Sequence, residues 1–151
     1  CYDWVQEAAQ KGASILVGGE SPIKNLFKPT ILTNVPEDCT LNMEEVFGPV
    51  CFVEKVENFK EAIDRANQSR YGLQAGVFSN NIHHCHYAFN ELEYGGVVIN
   101  DVPSVRVDAM PYGGIKDSGL GREGIREAIH EYTEGKVLLL RNVGGEGYIE
   151  Q

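Results

Sequence analysis

Basic residues are scarce in this sequence: 13 Lys and Arg stand against 22 Asp and Glu, a formal net charge of −9. No basic run offers a phosphate backbone a track to follow, so nucleic acid is not expected as a partner. Long apolar runs are also missing. Stretches such as Val137 to Leu140 fall far short of the ~20 residues that cross a bilayer, and no positively charged leader precedes an apolar segment. No membrane partner is expected, and the cytoplasm is the expected compartment. Cys1, Cys39, Cys51 and Cys85 form no C-x-x-C pair and are too few for a disulfide-built scaffold, so reduced thiols are expected. An initiating Met is absent too, and the residues after Cys1 read as the middle of an amphipathic helix, the pattern of a piece of a longer chain.

What is present describes a soluble globular protein. A chain of 151 residues is long enough to hide about 70% of its unfolded surface. From Tyr2 to Gln10, Val5, Ala8 and Ala9 recur at helical spacing, and Gly12 supplies a stop. Ser14 to Val17 reads as a strand closed by Gly18-Gly19, and Pro29-Thr30-Ile31-Leu32 as another. Pro49 opens an extended run, Val50 to Val56. Asn58 with Glu61 predicts a capped helix whose Phe59, Ala62, Ile63 and Ala66 share a buried face. Ala75 to Phe78 reads as a strand. Asn80 or Asn81 caps a helix presenting Ile82, Cys85, Phe89 and Leu92, and Val97-Val98-Ile99 has the composition of a strand buried on both faces.

Alternating strands and helices between Val50 and Asn100 predict an α/β fold, a parallel sheet with flanking helices. A Pro- and Gly-rich stretch of about twenty residues then follows, longer than structureless loops usually run, which marks it as functional. Ile125, Ala128, Ile129 and Tyr132 mark a last helix, and Lys136 to Arg141 a final strand.

Three local patterns carry little chemistry. Gly119-Leu120-Gly121-Arg122-Glu123-Gly124 matches G-x-G-x-x-G, but no strand directly precedes it and no acidic residue follows at the end of the next strand to hold a ribose. Its glycines are better explained by a tight turn into the last helix. His83, His84, Cys85 and His86 cannot converge on one ion from adjacent helix positions, so no metal is expected. Nothing near Cys39 or Cys51 would activate a thiolate, and both read as buried packing.

Glu44-Glu45-Val46-Phe47-Gly48-Pro49-Val50 is different: paired carboxylates and an aromatic ring stand just before a parallel strand. It resembles the E-E-[IV]-F-G-P-V motif of aldehyde dehydrogenases, preceded by Lys28 to Leu32 where that family has K-P-T-I-L. Tyr71 to Phe78 is similar to its Y-G-L-x-A-x-V-F, and Gly96 to Asn100 to its G-x-V-x-[VI]-N. Met110 to Gly124 resembles its P-[FY]-G-G-x-K-x-S-G-x-G-R-E-G. These motifs span nearly the whole chain in the right order.

The resemblance implies roles for particular residues. Glu45 would bind the ribose of NAD or NADP, a carboxylate offering an acceptor to each of two vicinal hydroxyls. Phe47 would pack against the nicotinamide riboside, or else only plug the core at the strand's start. Tyr112 falls where the family lines its substrate tunnel, with Asn100 beneath it. Glu123 matches a glutamate that joins a proton relay in some relatives, although a Glu at that place also simply suits a helix dipole. Arg106 lies in the loop that shapes substrate access and could clamp an acidic or hydroxylated aldehyde, unless Asp108 neutralises it.

By the same resemblance, residues 1–133 are the C-terminal portion of a catalytic domain. Residues 134–151 are an oligomerisation strand and tail that crosses to a neighbouring copy. The family's nucleophilic cysteine, in F-x-x-x-G-Q-x-C, and its E-L-G-G base have no counterpart among these residues, so this stretch alone is expected to be inactive. Two other readings stand beside this one: a structural or oligomerisation module without catalysis, and a nucleotide-binding domain built on Gly119 to Gly124.

Overall fold

The computed structural model describes residues 1–144 and is a mixed α/β structure with two hydrophobic cores. The first core begins with α1 (Tyr2–Gln10), which buries Val5 and Ala8. The helix ends because Gly12 takes φ 112°, which lets the Gly12 amide donate to Ala9 and the Ala13 amide to Ala8, satisfying the last carbonyls. Strands β1 (Ser14–Val17) and β2 (Thr30–Thr33) pair antiparallel. A short helix α2 (Thr40–Met43) then crosses to β3 (Val50–Val53), parallel to β2 with Thr30 opposite Val50. Val5, Ala8, Leu32, Val35, Cys39 and Leu41 form the core between them.

The second core is a βαβ unit. The helix α3 (Phe59–Asn67) starts where predicted: Asn58 Oδ1 accepts from the Glu61 amide at 3.0 Å, and the Glu61 carboxylate accepts from the Glu57 amide at 2.8 Å. A two-residue strand β4 (Tyr71–Gly72) leads to β5 (Gln74–Val77), helix α4 (Ile82–Glu91), capped by Asn81, and β6 (Gly96–Ile99), parallel to β5. Ile63, Val77, Ala88 and Leu92 are its buried residues.

The parallel pairing expected between Val50 and Asn100 is therefore split. β3 bonds to β2 and β5 to β6, but β3 and β5 do not bond to each other. Both border a cleft of about 1120 Å³ instead. Strands must approach to about 4.8 Å to share a ladder, and the cleft keeps these edges apart.

Other expectations are corrected by placement. β3 ends at Val53 and alternates half-buried with exposed, so Cys51 faces outward and only Cys39 is buried. β6 is half-buried rather than enclosed on both faces. In α4 the core takes Ala88 and Leu92, leaving Ile82 and Phe89 exposed. Helix α5 (Ile125–Tyr132) forms as predicted, yet buries nothing: its apolar residues find no facing layer among the described residues. Lys136 to Arg141 forms no strand and pairs with none among the described residues, and Val137 to Leu140 are between 64% and 91% exposed. Residues 145–151 of the expected tail lie outside the described residues. No helix of the described residues is long and apolar enough to cross a membrane.

Candidate functional site

The Glu44 to Pro49 segment links α2 to β3, and its backbone is extended from the start. Glu44 takes φ −118° and ψ 154° as its amide closes the helix onto the Thr40 carbonyl. Two tight turns follow, with the Gly48 amide donating to Val46 and the Val50 amide to Gly48, before the Pro49 carbonyl accepts from Thr30 at 2.8 Å and begins the β2–β3 ladder. A Cβ at Gly48 would overlap the Cys1 sulfur, so the chain approaches closely there.

Phe47 is 86% exposed, so it does not plug the core. Glu45 is exposed as well, and its neighbour Glu44 is half-buried. Glu45 borders the cleft between the two cores; Val46, Val50, Phe52 and Leu73 add apolar wall, and Arg70 and Asp117 add charge. An exposed carboxylate on a cleft can accept from the vicinal hydroxyls of a dinucleotide's ribose, and an exposed ring two residues on can pack against its nicotinamide. These residues fit that group.

The segment is fixed by residues whose importance no motif announced. Arg70 Nη1 reaches Glu44 Oε1 at 2.9 Å, and the Tyr71 hydroxyl donates to Glu44 Oε2 at 3.0 Å. Arg70 Nε meets Asp117 Oδ2 at 2.5 Å. The Glu44 carboxylate, followed by burial, pushes the Tyr71 phenol's pKa up, while the Glu45 amide and Arg70 work the other way. β4, which carries Tyr71, pairs antiparallel with β7 (Ile115–Lys116), and the Gly72 amide donates to Ser118 Oγ at 2.9 Å. Tyr71 was legible only as a member of a family pattern, and Arg70 carried no signal at all.

A second group assembles in the Pro- and Gly-rich stretch. Tyr112 and Glu123 exchange backbone hydrogen bonds of 2.8 and 2.6 Å. Arg106 Nη2 bonds Glu123 Oε2 at 2.8 Å, and its guanidinium carbon stands 4.7 Å from the centre of the Tyr112 ring. Three residues singled out separately thus meet in one place. The partner of Arg106 is Glu123, not the neighbouring Asp108. Gln74 on β5 ties this arm down by donating to the Val105 carbonyl at 2.8 Å. Asn100 ends β6 in a left-handed conformation, φ 59°, with its side chain accepting from the Ser79 amide. Among the described residues no hydrogen bond, ion pair or ring contact joins Glu45 or Phe47 to this trio; the chain through β7 connects the two groups.

The weaker patterns are placed plainly. Gly119, Gly121 and Gly124 have φ of 140°, 71° and 139°, a backbone that side chains resist. His84 stacks on Phe59 at 4.3 Å, and among the described residues no group of three or more His, Cys, Asp or Glu is placed to hold a metal ion.

Residues 1–138 match the aldehyde dehydrogenase family. A 3-sulfolactaldehyde dehydrogenase of Priestia aryabhattai is 44% identical over 138 residues, 91% of this chain and 29% of its own length. A lactaldehyde dehydrogenase of Methanococcus maripaludis is 44% identical over 139 residues, 92% of this chain and 30% of its own. The crystal structure of aldehyde dehydrogenase 21 from Physcomitrella patens, in complex with the reaction product succinate, superposes with a TM-score of 0.89 at 45% identity, covering 95% of this chain and 30% of that one. Glyceraldehyde-3-phosphate dehydrogenase from Methanocaldococcus jannaschii, complexed with NADP, gives 0.78 at 44% identity, covering 86% and 28%. The chain thus spans about 30% of the length of the relatives it matches.

Proposed function

The chain belongs to the aldehyde dehydrogenase family, and from that premise we propose that it is the C-terminal portion of an NAD(P)-dependent enzyme oxidising an aldehyde to a carboxylate. The observation that carries this is an exposed Glu45 on the cleft with an 86% exposed Phe47 two residues further along the chain. An apolar ring left in water gives up about 1.5–3 kcal/mol of burial, which is understandable where a ligand ring covers it. Glu45 would hold the ribose hydroxyls and Phe47 would limit where the nicotinamide sits. When bound, the dinucleotide supplies the electron-pair acceptor for the oxidation. The nucleophile, on this reading, belongs to another part of the complete polypeptide.

The substrate end of the site is assigned to Arg106, Tyr112 and Glu123. A guanidinium held over a ring and paired at one edge keeps other N–H donors for a ligand oxygen. We assign it an aldehyde with an anionic or hydroxylated end. Relatives named for sulfolactaldehyde and lactaldehyde, and one bound to succinate, support that class.

The test is dinucleotide titration of the complete enzyme, followed by the quenching of protein fluorescence. Glu45→Gln is expected to weaken binding by about tenfold, the order of a lost charge-assisted hydrogen bond, and Gly121→Val to leave it alone. The opposite pattern would transfer the dinucleotide to the Gly119 to Gly124 turn and end this reading.

A further inference from the structure

We propose that Tyr71 and Arg70 are positioning residues for the cofactor side of the site: by taking both oxygens of Glu44 they dictate the direction in which Glu45 points. The inference rests on the reading of Glu45 as the ribose ligand and adds to it two residues that act through Glu44.

Glu44 leaves α2 with φ −118° and ψ 154° at a bend, and Glu45 follows it directly, so the two side chains share one short stretch of backbone at the cleft. Whatever holds one therefore aims the other. Glu44 is held twice, by Arg70 Nη1 on Oε1 at 2.9 Å and by the Tyr71 hydroxyl on Oε2 at 3.0 Å. The donors are the first residue of β4 and the residue before it, so the carboxylate is clamped toward β4 with both oxygens engaged. Glu45 is the contrast: among the described residues no hydrogen bond or ion pair engages its side chain.

The clamp is anchored rather than floating. β4 pairs with β7, its Gly72 amide donates to Ser118, and the Asp117 amide donates to the Arg70 carbonyl at 3.0 Å. Arg70 itself spans two carboxylates, Glu44 and Asp117. A planar guanidinium with donors fixed in a fork can bridge two acids in this way, whereas a lysine ammonium is a point charge that would serve one of them. An exposed ion pair contributes little to stability, so a network of this kind at the rim of a cleft is better understood as setting geometry.

The experiment uses the complete enzyme and reads dinucleotide affinity directly, without aldehyde present, alongside steady-state kinetics. Tyr71→Phe and Arg70→Lys are each expected to raise the dinucleotide Kd by about 5- to 20-fold while the aldehyde KM moves by less than about twofold. Tyr71 acts through Glu44, so Tyr71→Phe combined with Glu44→Gln is expected to be no worse than Glu44→Gln alone. Arg70→Lys, a surface change that keeps its charge, carries the test if Tyr71→Phe does not fold. If both single variants bind the dinucleotide as the parent does, while Glu45→Gln binds it poorly, the positioning role is overturned and the assignment of Glu45 survives. If Glu45→Gln also binds normally, the assignment itself has failed and the inference with it. A strictly additive double variant likewise overturns it.

Discussion

Arg106 stands over the Tyr112 ring with Glu123 at its side, and each of these three was singled out on different grounds. Their meeting changes what Glu123 is expected to do. It precedes Gly124, which caps α5, so a role at the helix terminus and one in a proton relay were equally open. The contact with Arg106 adds a third role, holding the guanidinium. Arg106→Ala is accordingly expected to raise KM for anionic aldehydes by about tenfold in the complete enzyme and to leave neutral aldehydes unchanged. Unaltered selectivity would remove Arg106 from the substrate site. Glu123→Gln is expected to shift the same selectivity without moving the pH profile of kcat; a displaced profile would return it to the proton relay. A further residue-scale effect concerns stability. Hydrogen bonds from Thr40 and then from Lys11 hold the Glu7 carboxyl below its ordinary pKa. A group depressed on folding stabilises the fold above its unfolded pKa, and that contribution is lost as pH falls through the folded value. Glu7→Gln is therefore expected to flatten the acid side of a melting-temperature profile taken from pH 7 down to pH 3, with no such change if Glu7 is irrelevant to the docking of α1 on α2.

Elements formed where periodicity and capping chemistry agreed. The helix over 59–67 was legible because Asn58 and Glu61 satisfy the first amides in a way few other pairs do, and Asn58→Ala is expected to cost about 1 kcal/mol in chemical denaturation. The close of α1 was legible for a similar reason, since the glycine at position 12 tolerates the left-handed turn the last carbonyls need. Strand partners were another matter. The β-branched run at 97–99 reads as a doubly buried strand, yet it is half-buried, because burial of a strand depends on what covers each face. Lys136 to Arg141 illustrates the same point: its composition suits a strand, yet it is exposed and finds no ladder among the described residues. We assign that segment to pairing with a second copy, where an unpaired apolar edge would find its partner. Removal of the residues after Gly135 is then expected to lower the mass of the assembly in sedimentation, and an unchanged mass would discard the assignment.

At the scale of the whole molecule, two cores flank a cleft that neither fills, and among the described residues α5 buries none of its apolar side chains. A chain so arranged, spanning about 30% of its relatives, holds on our reading one side of a dinucleotide site and one side of a substrate site. Purified as these 151 residues, it is expected to produce no NADH from NAD and any aldehyde. Turnover in a spectrophotometric assay would show that the segment carries its own nucleophile. The α/β class, the four longer helices, most strand positions and the family were all determined by the sequence alone, because periodicity, caps and contiguous motifs are local and survive without neighbours. Which strands pair, that Phe47 and Cys51 are exposed, and that Arg70 and Tyr71 clamp Glu44 were decided only by the tertiary structure. Those relations join residues 26 and 27 positions apart, and contacts at that separation are set by how whole elements pack, which no local pattern encodes.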